Sequence, residues 1–313
     1  MSAEAVDNPV YYEQLEDMED DFEQVDLEIL RIQDKMTRDL YAKRQKIISQ
    51  IPNFWPLVFE HAPPEIDEYI QPTDAAVIVS ALKNISVERF ELPNGHPRSI
   101  SIKFEFSENE YFENTTLEKK FWWRHAKDGW EGLVSEPVEI NWKADKDLTN
   151  GLLGLAKKIY EDDKAGKGDE NTEAKKELIK KLDDTSLETV SFFNFFGFRG
   201  RYISEEESRE AAKVAEEKRK ARKEGKEVDE EKMEEDDEDE DDGEYEFEIF
   251  PNGDDVALAL AEDLYPEAIR YFQDGQELAA LSEMDFEDDE DEEMGDDEMG
   301  DDDDENPSKK RKA

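Results

Sequence analysis

Residues 9–52 of the chain, PVYYEQLEDMEDDFEQVDLEILRIQDKMTRDLYAKRQKIISQIP, decide the fold. Asn8 followed by Pro9 is typical of a helix N-cap with proline at the first helical position, and Pro52 ends the run. A helix of about 43 residues would be ~65 Å long, because each residue adds 1.5 Å. Its apolar side chains recur mostly every three or four residues, and they are Leu15, Met18, Phe22, Val25, Ile29, Ile32, Met36, Leu40 and Ile47.

These nine side chains, the apolar stripe, predict a dimer. The stripe slips by one residue at Leu40, where Asp39 would have continued the pattern, as in a stutter of a coiled coil. No small domain can bury so long a stripe, and the other faces of the helix are charged. We therefore expect the stripe to form a two-helix seam between two copies of the chain. The alternative is a single amphipathic helix that lies on its own domain.

The charge of the chain points to a basic partner. Its net charge is −48, from 88 acidic and 40 basic residues. Residues 229–242 carry 12 carboxylates and one lysine, and residues 283–306 carry 17 carboxylates and no base. The negative electrostatic field of these charges repels nucleic acid and attracts cationic proteins over a Debye length, ~8 Å at physiological salt. We therefore expect a basic protein partner, no direct binding of nucleic acid, and disorder in both acidic runs.

The composition also excludes several kinds of site. The sequence has no cysteine, which excludes disulfides and thiolate metal sites. Its three histidines, His61, His96 and His125, have no metal-binding spacing, and no glycine-rich loop resembles a phosphate cradle. We therefore expect no cofactor, no metal and no catalytic residue, so that the protein is not an enzyme. The acidic first residues and the absence of ~20 consecutive apolar residues predict neither a signal peptide nor a membrane span.

A compact core is predicted in residues 53–142, which hold all five tryptophans. The pattern indicates short helices first and then a period of two at Ile100, Ile102, Phe104 and Phe106, typical of a half-buried strand. Asn94-Gly95 indicates a hairpin before this strand. The sequence therefore predicts an α+β fold, a small antiparallel sheet with helices on one face. The predicted helices are 53–60, 64–70 and 72–82, and the predicted strands are 85–91, 100–106, 117–124 and 138–142.

The second half of the chain is less regular. Residues 148–160 are predicted to be helical, residues 161–183 to be charged and exposed, and the aromatic segment SFFNFFGF at 191–198 to belong to the core. Residues 204–231 alternate basic and acidic blocks with almost no apolar stripe, which fits either a solvated helix or a disordered insertion. Residues 254–272 carry a helical apolar pattern, interrupted by Pro266, that has to dock on the core.

The chain ends in a basic cluster, Lys309, Lys310, Arg311 and Lys312. Directly after so many carboxylates, four cations indicate a nuclear import signal at an accessible end. The alternative is a basic terminus without function. We expect a nuclear protein, with shuttling to the cytoplasm as a further option.

Six segments together resemble the SET branch of the nucleosome assembly protein family. Each segment alone is weakly specific, but they occur in the family's order, cover most of residues 9–275, and are followed by an acidic tail as in the family. The segments are PVYYEQLE at 9–16, IPNFW at 51–55, YFEN at 111–114, EINWK at 139–143 continued by KDLT at 146–149, SFFNFF at 191–196, and LYPEAIRYF at 264–272.

The resemblance implies a homodimer formed by antiparallel long helices, with an "earmuff" α+β domain at each end. On this basis the chain divides into four parts. They are a disordered N-terminus at 1–8, a dimerisation helix at 9–52, an earmuff domain at 53–275 with a charged insertion at about 199–246, and an acidic disordered tail at 276–313.

The resemblance also implies a function, that of an ATP-independent histone chaperone that binds core histones through an acidic face and tail and promotes nucleosome assembly and disassembly. Some SET-like proteins inhibit a protein phosphatase or escort a histone acetyltransferase, so a regulatory subunit of such an enzyme is the alternative. A weaker alternative is a general escort for ribosomal or other basic proteins. The motif-matched candidates for histone binding are Glu139, Asp145, Asp147 and Thr149, and the tail candidates are Asp285, Asp288, Asp289 and Asp291.

Two features depart from the family's pattern. The charged stretch 199–246 is longer than the corresponding loop of animal SET proteins and carries its own acidic run. Phe195 stands where those proteins have tryptophan, and we expect this exchange to be neutral for packing.

Overall fold

The computed structural model describes residues 12–168, 171–183, 190–223 and 247–293. It begins with helix α1, Tyr12–Ile48, which has 37 residues. The helix ends before Pro52 because the backbone turns through residues 49–53, where Asn53 adopts a left-handed φ of 56°. The helix is therefore shorter at its C-terminal end than the predicted range 9–52, and residues 9–11 lie outside the described part of the chain.

Three short helices follow where short helices were predicted: α2 (Phe54–Glu60), α3 (Pro64–Asp67) and α4 (Pro72–Ala81). In the first turn of α4, the buried carboxylate of Asp74 accepts a hydrogen bond from the backbone N–H of Gln71 at 3.1 Å. The same carboxylate accepts from Ser191 Oγ at 2.6 Å and from Phe192 N at 2.7 Å. Burial raises the pKa of Asp74. One buried acid thus joins α4 to the aromatic segment 191–198.

The sheet is antiparallel, and its four strands are neighbours in sequence order: β1 (Leu82–Glu88), β2 (Ile100–Phe106), β3 (Thr116–His125) and β4 (Glu131–Ser135). On β2 the residues Ile100, Ile102 and Phe104 are fully buried, whereas Lys103 and Glu105 on the other face are partly exposed. The alternation arises because successive side chains of a strand point to opposite faces. Helices cover the apolar face, so the predicted α+β class is confirmed.

The predicted strand at 138–142 is wrong. In the described structure this segment forms an isolated bridge between Phe112 and Trp142 and is not a strand of the sheet. The fourth strand is instead β4, which residues 126–130 connect to β3 through a tight turn with Gly129 at φ 91°.

The predicted Asn94-Gly95 hairpin also needs correction. Residues 89–99 connect β1 and β2, so that this dipeptide lies inside a longer loop and not in a two-residue turn. Within the loop, Gly95 N donates to the carbonyl of Glu91 at 2.7 Å, and Ser99 Oγ donates to the carboxylate of Glu91 at 2.6 Å. The loop is therefore ordered by its own hydrogen bonds.

The second half of the chain packs against this frame and is mostly helical. No helix in the described ranges is long and apolar enough to cross a membrane. The elements are α5 (Leu152–Lys164), α6 (Glu173–Asp183), a 3₁₀ helix (Phe192–Gly197), α7 (Glu205–Lys223), α8 (Gly253–Leu258), a π-helix (Ala259–Leu264) and α9 (Ala268–Glu293).

Two segments are helical that the sequence predicted to be exposed or left ambiguous. The predicted exposed stretch 161–183 contains α6, which packs on α5 with Ala174 and Leu178 buried, so this prediction was wrong for that part. The ambiguous stretch 204–231 is a helix, α7, over Glu205–Lys223, and its residues 224–231 lie outside the described part of the chain.

The last helix, α9, crosses α2 where Gly275 meets the ring of His61, which leaves no room for a Cβ atom. Residues 276–281 are exposed, and the helix continues to Glu293. The domain predicted from the sequence ends earlier, at residue 275.

Aromatic side chains form the centre of the core. The rings of Phe193, Phe195, Phe196 and Phe198 are at most 1% exposed, so the predicted core role of segment 191–198 is confirmed. Phe195 packs on Phe121 of the sheet with ring centroids 5.6 Å apart.

A lysine is buried on the core side of β3. Lys119 is 0% exposed, and its ammonium group donates to the backbone carbonyls of Glu136 at 2.7 Å, Phe196 at 3.1 Å and Phe198 at 2.6 Å. Burial lowers the pKa of Lys119 to about 7, and the nearby carboxylate of Glu248 opposes this shift. Lys119 thereby ties the sheet to the backbone of the aromatic segment.

Glu248 fixes the point at which the chain returns to the core after the charged insertion. Its buried carboxylate accepts from the backbone N–H groups of Arg199 at 3.0 Å and Gly200 at 3.1 Å. Burial raises the pKa of Glu248, and Arg199 opposes that shift. The two ends of the insertion are therefore held next to each other by a buried acid.

Candidate functional site

The apolar stripe of α1 is exposed along its entire length. Each of its side chains is between 50% and 70% exposed, from Ile32 at 50% to Met36 at 70%. Monomeric proteins rarely leave so many contiguous large apolar side chains in water, and such a surface indicates a protein–protein contact. The exposed members are Leu15, Met18, Phe22, Val25, Ile29, Ile32, Met36, Leu40 and Ile47.

The opposite face of α1 lies on the chain's own domain. This face repeats every seven residues, and Leu27 and Ile48 within it are buried. The alternative in which the apolar stripe itself covers the domain is therefore wrong, because the stripe points away from it. The domain-facing series is Asp20, Leu27, Asp34, Tyr41 and Ile48.

Arg44 fastens the C-terminal part of α1 to the domain. Its guanidinium donates to the carbonyls of Tyr265 at 2.7 Å and Pro266 at 3.1 Å. The same group lies over the rings of Tyr41 and Tyr265, at 4.7 and 4.4 Å from their centroids. Burial lowers the pKa of Arg44. These contacts, the Arg44 clamp, hold α1 on the domain and so set the direction in which its apolar stripe points.

The four motif-matched candidates lie on the segment between β4 and α5, and they do not form one acidic surface. Glu139 is exposed, but its carboxylate is paired with the ammonium group of Lys157 on α5. Asp145 is exposed in a turn with a left-handed φ of 59°. Of the four, Asp145 is the acid that can meet a partner without a change in the contacts described.

Asp147 and Thr149 have a local structural role. The carboxylate of Asp147 accepts from Thr149 N at 2.8 Å, Thr149 Oγ1 at 2.6 Å and Gly151 N at 2.9 Å. Thr149 is 1% exposed. Asp147 therefore orders the turn that starts α5, and the Thr149 side chain is not available to a partner in this conformation.

The side chains of the remaining candidates lie outside the described residues. Asp285, Asp288, Asp289 and Asp291 fall in the last part of α9, where their side chains lie outside the described residues. The basic cluster of Lys309, Lys310, Arg311 and Lys312 also lies outside them.

A surface that the sequence did not indicate is an acidic cleft of about 460 Å³ between α3 and residues 252–263. Its walls are held together by a hydrogen bond from Asn252 Nδ2 to Tyr69 Oη at 2.6 Å. No cation lines the cleft among the described residues. The carboxylates that line it are Glu65, Glu68, Asp255, Glu262 and Asp263.

Two cations neutralise part of the acidic cleft from its rim. Arg89 pairs with Glu262 at 3.1 Å, and Arg270 lies 3.7 Å from Asp263. Glu65, Glu68 and Asp255 have no ion pair of this kind among the described contacts. These three acids can therefore accept lysine or arginine side chains from another molecule.

No sequence pattern indicates the cleft, because its acids come from separate segments that only the tertiary structure brings together. With so many carboxylates in the chain, no local pattern distinguishes these five. Nowhere in the described ranges do three acidic or histidine side chains stand close enough to hold a metal ion.

Comparison with known families gives a match to the model of the nucleosome assembly protein (NAP) family over residues 10–275. A protein of Schizosaccharomyces pombe described as a nucleosome assembly protein is 38% identical over 148 residues, which are 44% of this chain and 59% of that protein. Protein SET of Drosophila melanogaster is 32% identical over 134 residues, 40% of this chain and 47% of that protein. The chain thus spans about half the length of these relatives.

Two solved structures share the fold. Ccp1 is 26% identical, with a TM-score of 0.52 over 85% of this chain and 95% of that one. Vps75, which is described as a histone chaperone, is 20% identical, with a TM-score of 0.52 over 84% of this chain and 97% of that one. At that identity, Vps75 supports the likeness of fold alone.

We predict that Asp147 acts in folding and not in partner binding. Asp147→Ala should lower the free energy of unfolding by about 1–2 kcal/mol, because it leaves the N–H groups of Thr149 and Gly151 without their acceptor. Asp145→Ala, which removes a carboxylate from the same segment, should change it by less than ~0.5 kcal/mol. Urea denaturation measures both. Equal stability of the two variants would contradict the structural role.

Proposed function

The chain belongs to the nucleosome assembly protein family, and we propose that it is an ATP-independent histone chaperone that works as a homodimer. The match over residues 10–275 carries this proposal, because it includes both α1 and the domain that bears the acidic cleft. The net charge of −48 supports a cationic partner.

The homodimer is supported by the exposed apolar stripe. Burying one Leu, Ile, Phe or Met side chain contributes about 1.5–3 kcal/mol, so a seam of this length is a strong driving force even when each side chain is already partly covered. Because Arg44 fastens α1 to its own domain, pairing of two stripes would also fix the two domains relative to each other.

The mechanism is competition for basic side chains. Histones hold DNA mainly through contacts between arginine or lysine and phosphate. Carboxylates of the chaperone bind the same side chains and keep a free histone from collapsing onto DNA at random. Each exposed ion pair contributes only ~0–1 kcal/mol, so the affinity is a sum of many weak contacts and DNA can displace the chaperone. The exchange needs no nucleotide.

We propose that the carboxylates of the ordered domain and those of the tail have different roles. The acidic cleft, with Asp145 as a further exposed acid, supplies contacts in a fixed geometry and hence preference for folded histones. The tail candidates Asp285, Asp288, Asp289 and Asp291 stay predictions and supply long-range attraction, which raises the rate of capture. Promotion of nucleosome assembly and disassembly would follow from this reversible binding.

The finer expectations about location and further partners are also proposals. A nuclear site of action fits a chromatin protein, and the basic cluster at 309–312 would serve as the import signal. Regulation of a protein phosphatase or a histone acetyltransferase remains the alternative function. It predicts that the purified protein changes the rate of such an enzyme when no histone is present.

We predict that charge in the apolar stripe converts the dimer into a monomer. Val25→Glu with Ile29→Glu places two carboxylates in the centre of the seam, where the partner helix would have to bury them. Light scattering at low micromolar concentration should give twice the chain mass of 36.4 kDa for the unaltered protein and 36.4 kDa for the variant.

The matched control is Gln24→Glu with Gln33→Glu, which adds the same charge to exposed positions of α1 outside the stripe. This control should remain dimeric, and circular dichroism should report the same helix content for all three proteins. A stripe variant that remains a dimer, or an unaltered protein that is a monomer, would contradict the seam.

We predict that neutralising the acidic cleft weakens histone binding. Glu65→Gln, Glu68→Gln and Asp255→Asn together should lower the affinity for folded core histones by about tenfold at physiological salt, because three weak ion pairs are lost. The affinity is measured by fluorescence titration with labelled histones.

The control for the cleft removes the same three charges from α6, through Glu173→Gln, Glu177→Gln and Asp183→Asn. These acids are exposed and lie on a separate element, so the control should lose no more than about twofold. If both triple variants lose affinity equally, only net charge matters and the cleft has no special role.

A further inference from the structure

The C-terminal turn of α7 lies against the acidic N-terminal part of α1. Six ion pairs join the two helices, and their N–O distances range from 2.6 to 3.6 Å. They connect Arg219 with Asp20 and Asp21, Arg222 with Glu16, Asp17 and Asp20, and Lys223 with Asp21.

The two halves of α7 are held differently. Near its start, Ser208 is buried and its Oγ accepts a hydrogen bond from His125 N on β3 at 3.0 Å. From residue 213 to the end of the helix no side chain is buried, and Val214 is 51% exposed. The first half is thus anchored by packing, and the last turn is held to α1 by charge.

Contacts of this kind are easily exchanged. The cations of the last turn and their partners on α1 keep between 23% and 57% of their side-chain surface in water. Ion pairs that remain partly in water are weakened by salt, because mobile ions screen them. Another polycation can therefore replace the last turn of α7 without disrupting the core.

The sequence of this turn has the chemistry of the proposed partner. Residues 218–223 read KRKARK, five cations in six residues, in a chain with more than twice as many acids as bases. Opposite them stand four carboxylates of α1, namely Glu16, Asp17, Asp20 and Asp21. The chain thus fills one of its own acidic faces with a basic segment.

We propose that residues 218–223 are a displaceable strap, an intramolecular stand-in for a lysine- and arginine-rich segment of the partner. In the free protein the strap covers the acidic face of α1. A basic partner exchanges with the strap and gains those four carboxylates as additional contacts. This regulation rests on the proposed function, because it assumes that the natural ligand is a polycation such as a histone.

The test compares two triple variants of the full chain. Arg219→Ala, Arg222→Ala and Lys223→Ala remove the strap's ion pairs, and Arg209→Ala, Lys213→Ala and Lys180→Ala remove the same charge from exposed positions outside the strap. The strap variant should bind core histones about three- to tenfold more tightly than the control, because the competitor is gone. Equal affinities of the two variants would overturn the proposal.

Hydrogen exchange provides the second readout. In the unaltered protein without a partner, amide protection of residues 216–223 should fall as salt is raised from about 0.05 to 0.5 M, whereas protection near Ser208 should persist. Addition of core histones or of an arginine-rich peptide should lower protection of residues 216–223 in the same way. Unchanged or increased protection on addition of the polycation would contradict displacement.

The two proposals fail in distinguishable ways. If the unaltered protein does not bind core histones, the proposed function is contradicted. The salt dependence of strap protection, measured without any partner, and its response to the arginine-rich peptide still decide whether the strap is held by charge and can be displaced.

Discussion

The structure depends on helix α1, whose two opposite faces need different partners. One face of α1 packs on its own domain through Leu27, Ile48 and the Arg44 clamp, while the opposite face leaves the apolar stripe in water. Covering the stripe with a second copy satisfies the second face without changing the first. Burying the apolar stripe contributes on the order of 10 kcal/mol in each chain. Association of two proteins costs about 4–15 kcal/mol, so burial of both stripes can offset that cost. We therefore expect dimerisation to follow from the helix itself.

In so acidic a chain most charged side chains have to stay on the surface. Charged side chains that are buried form hydrogen bonds that replace those lost to water. Lys119 and Glu248 are both buried, and each satisfies its polar atoms with backbone groups of the segment around residues 196–200. The same segment supplies the aromatic rings that fill the centre. The excess acids remain on the surface, where water lowers the cost of their mutual repulsion. This separation allows a stable domain to present carboxylates in a fixed geometry.

The features predicted correctly are those set by the local sequence. The position of the apolar stripe and the alternation on β2 follow from spacing, and the core position of segment 191–198 follows from its density of aromatic residues. The fourth strand was misplaced because residues 138–142 alternate like a strand, whereas β4 is short and is specified by its register with β3; the turn signal Asp128-Gly129 could have located it. The acidic cleft and the contact of α7 with α1 were missed, since both join residues that are distant in sequence. Asp147 and Thr149 matched a motif, but their hydrogen bonds show that the motif also encodes the start of α5.

We expect an ordered acidic dimer to recognise folded histones and not merely positive charge. Light scattering of the purified protein at physiological salt, first with folded core histones and then with polylysine of equal charge, distinguishes the two. We predict a soluble complex of one defined mass with histones, built on a dimer of twice 36.4 kDa, and heterogeneous aggregates with polylysine. Identical behaviour with both polycations would contradict the account and would leave only the attraction of a highly acidic chain for any base.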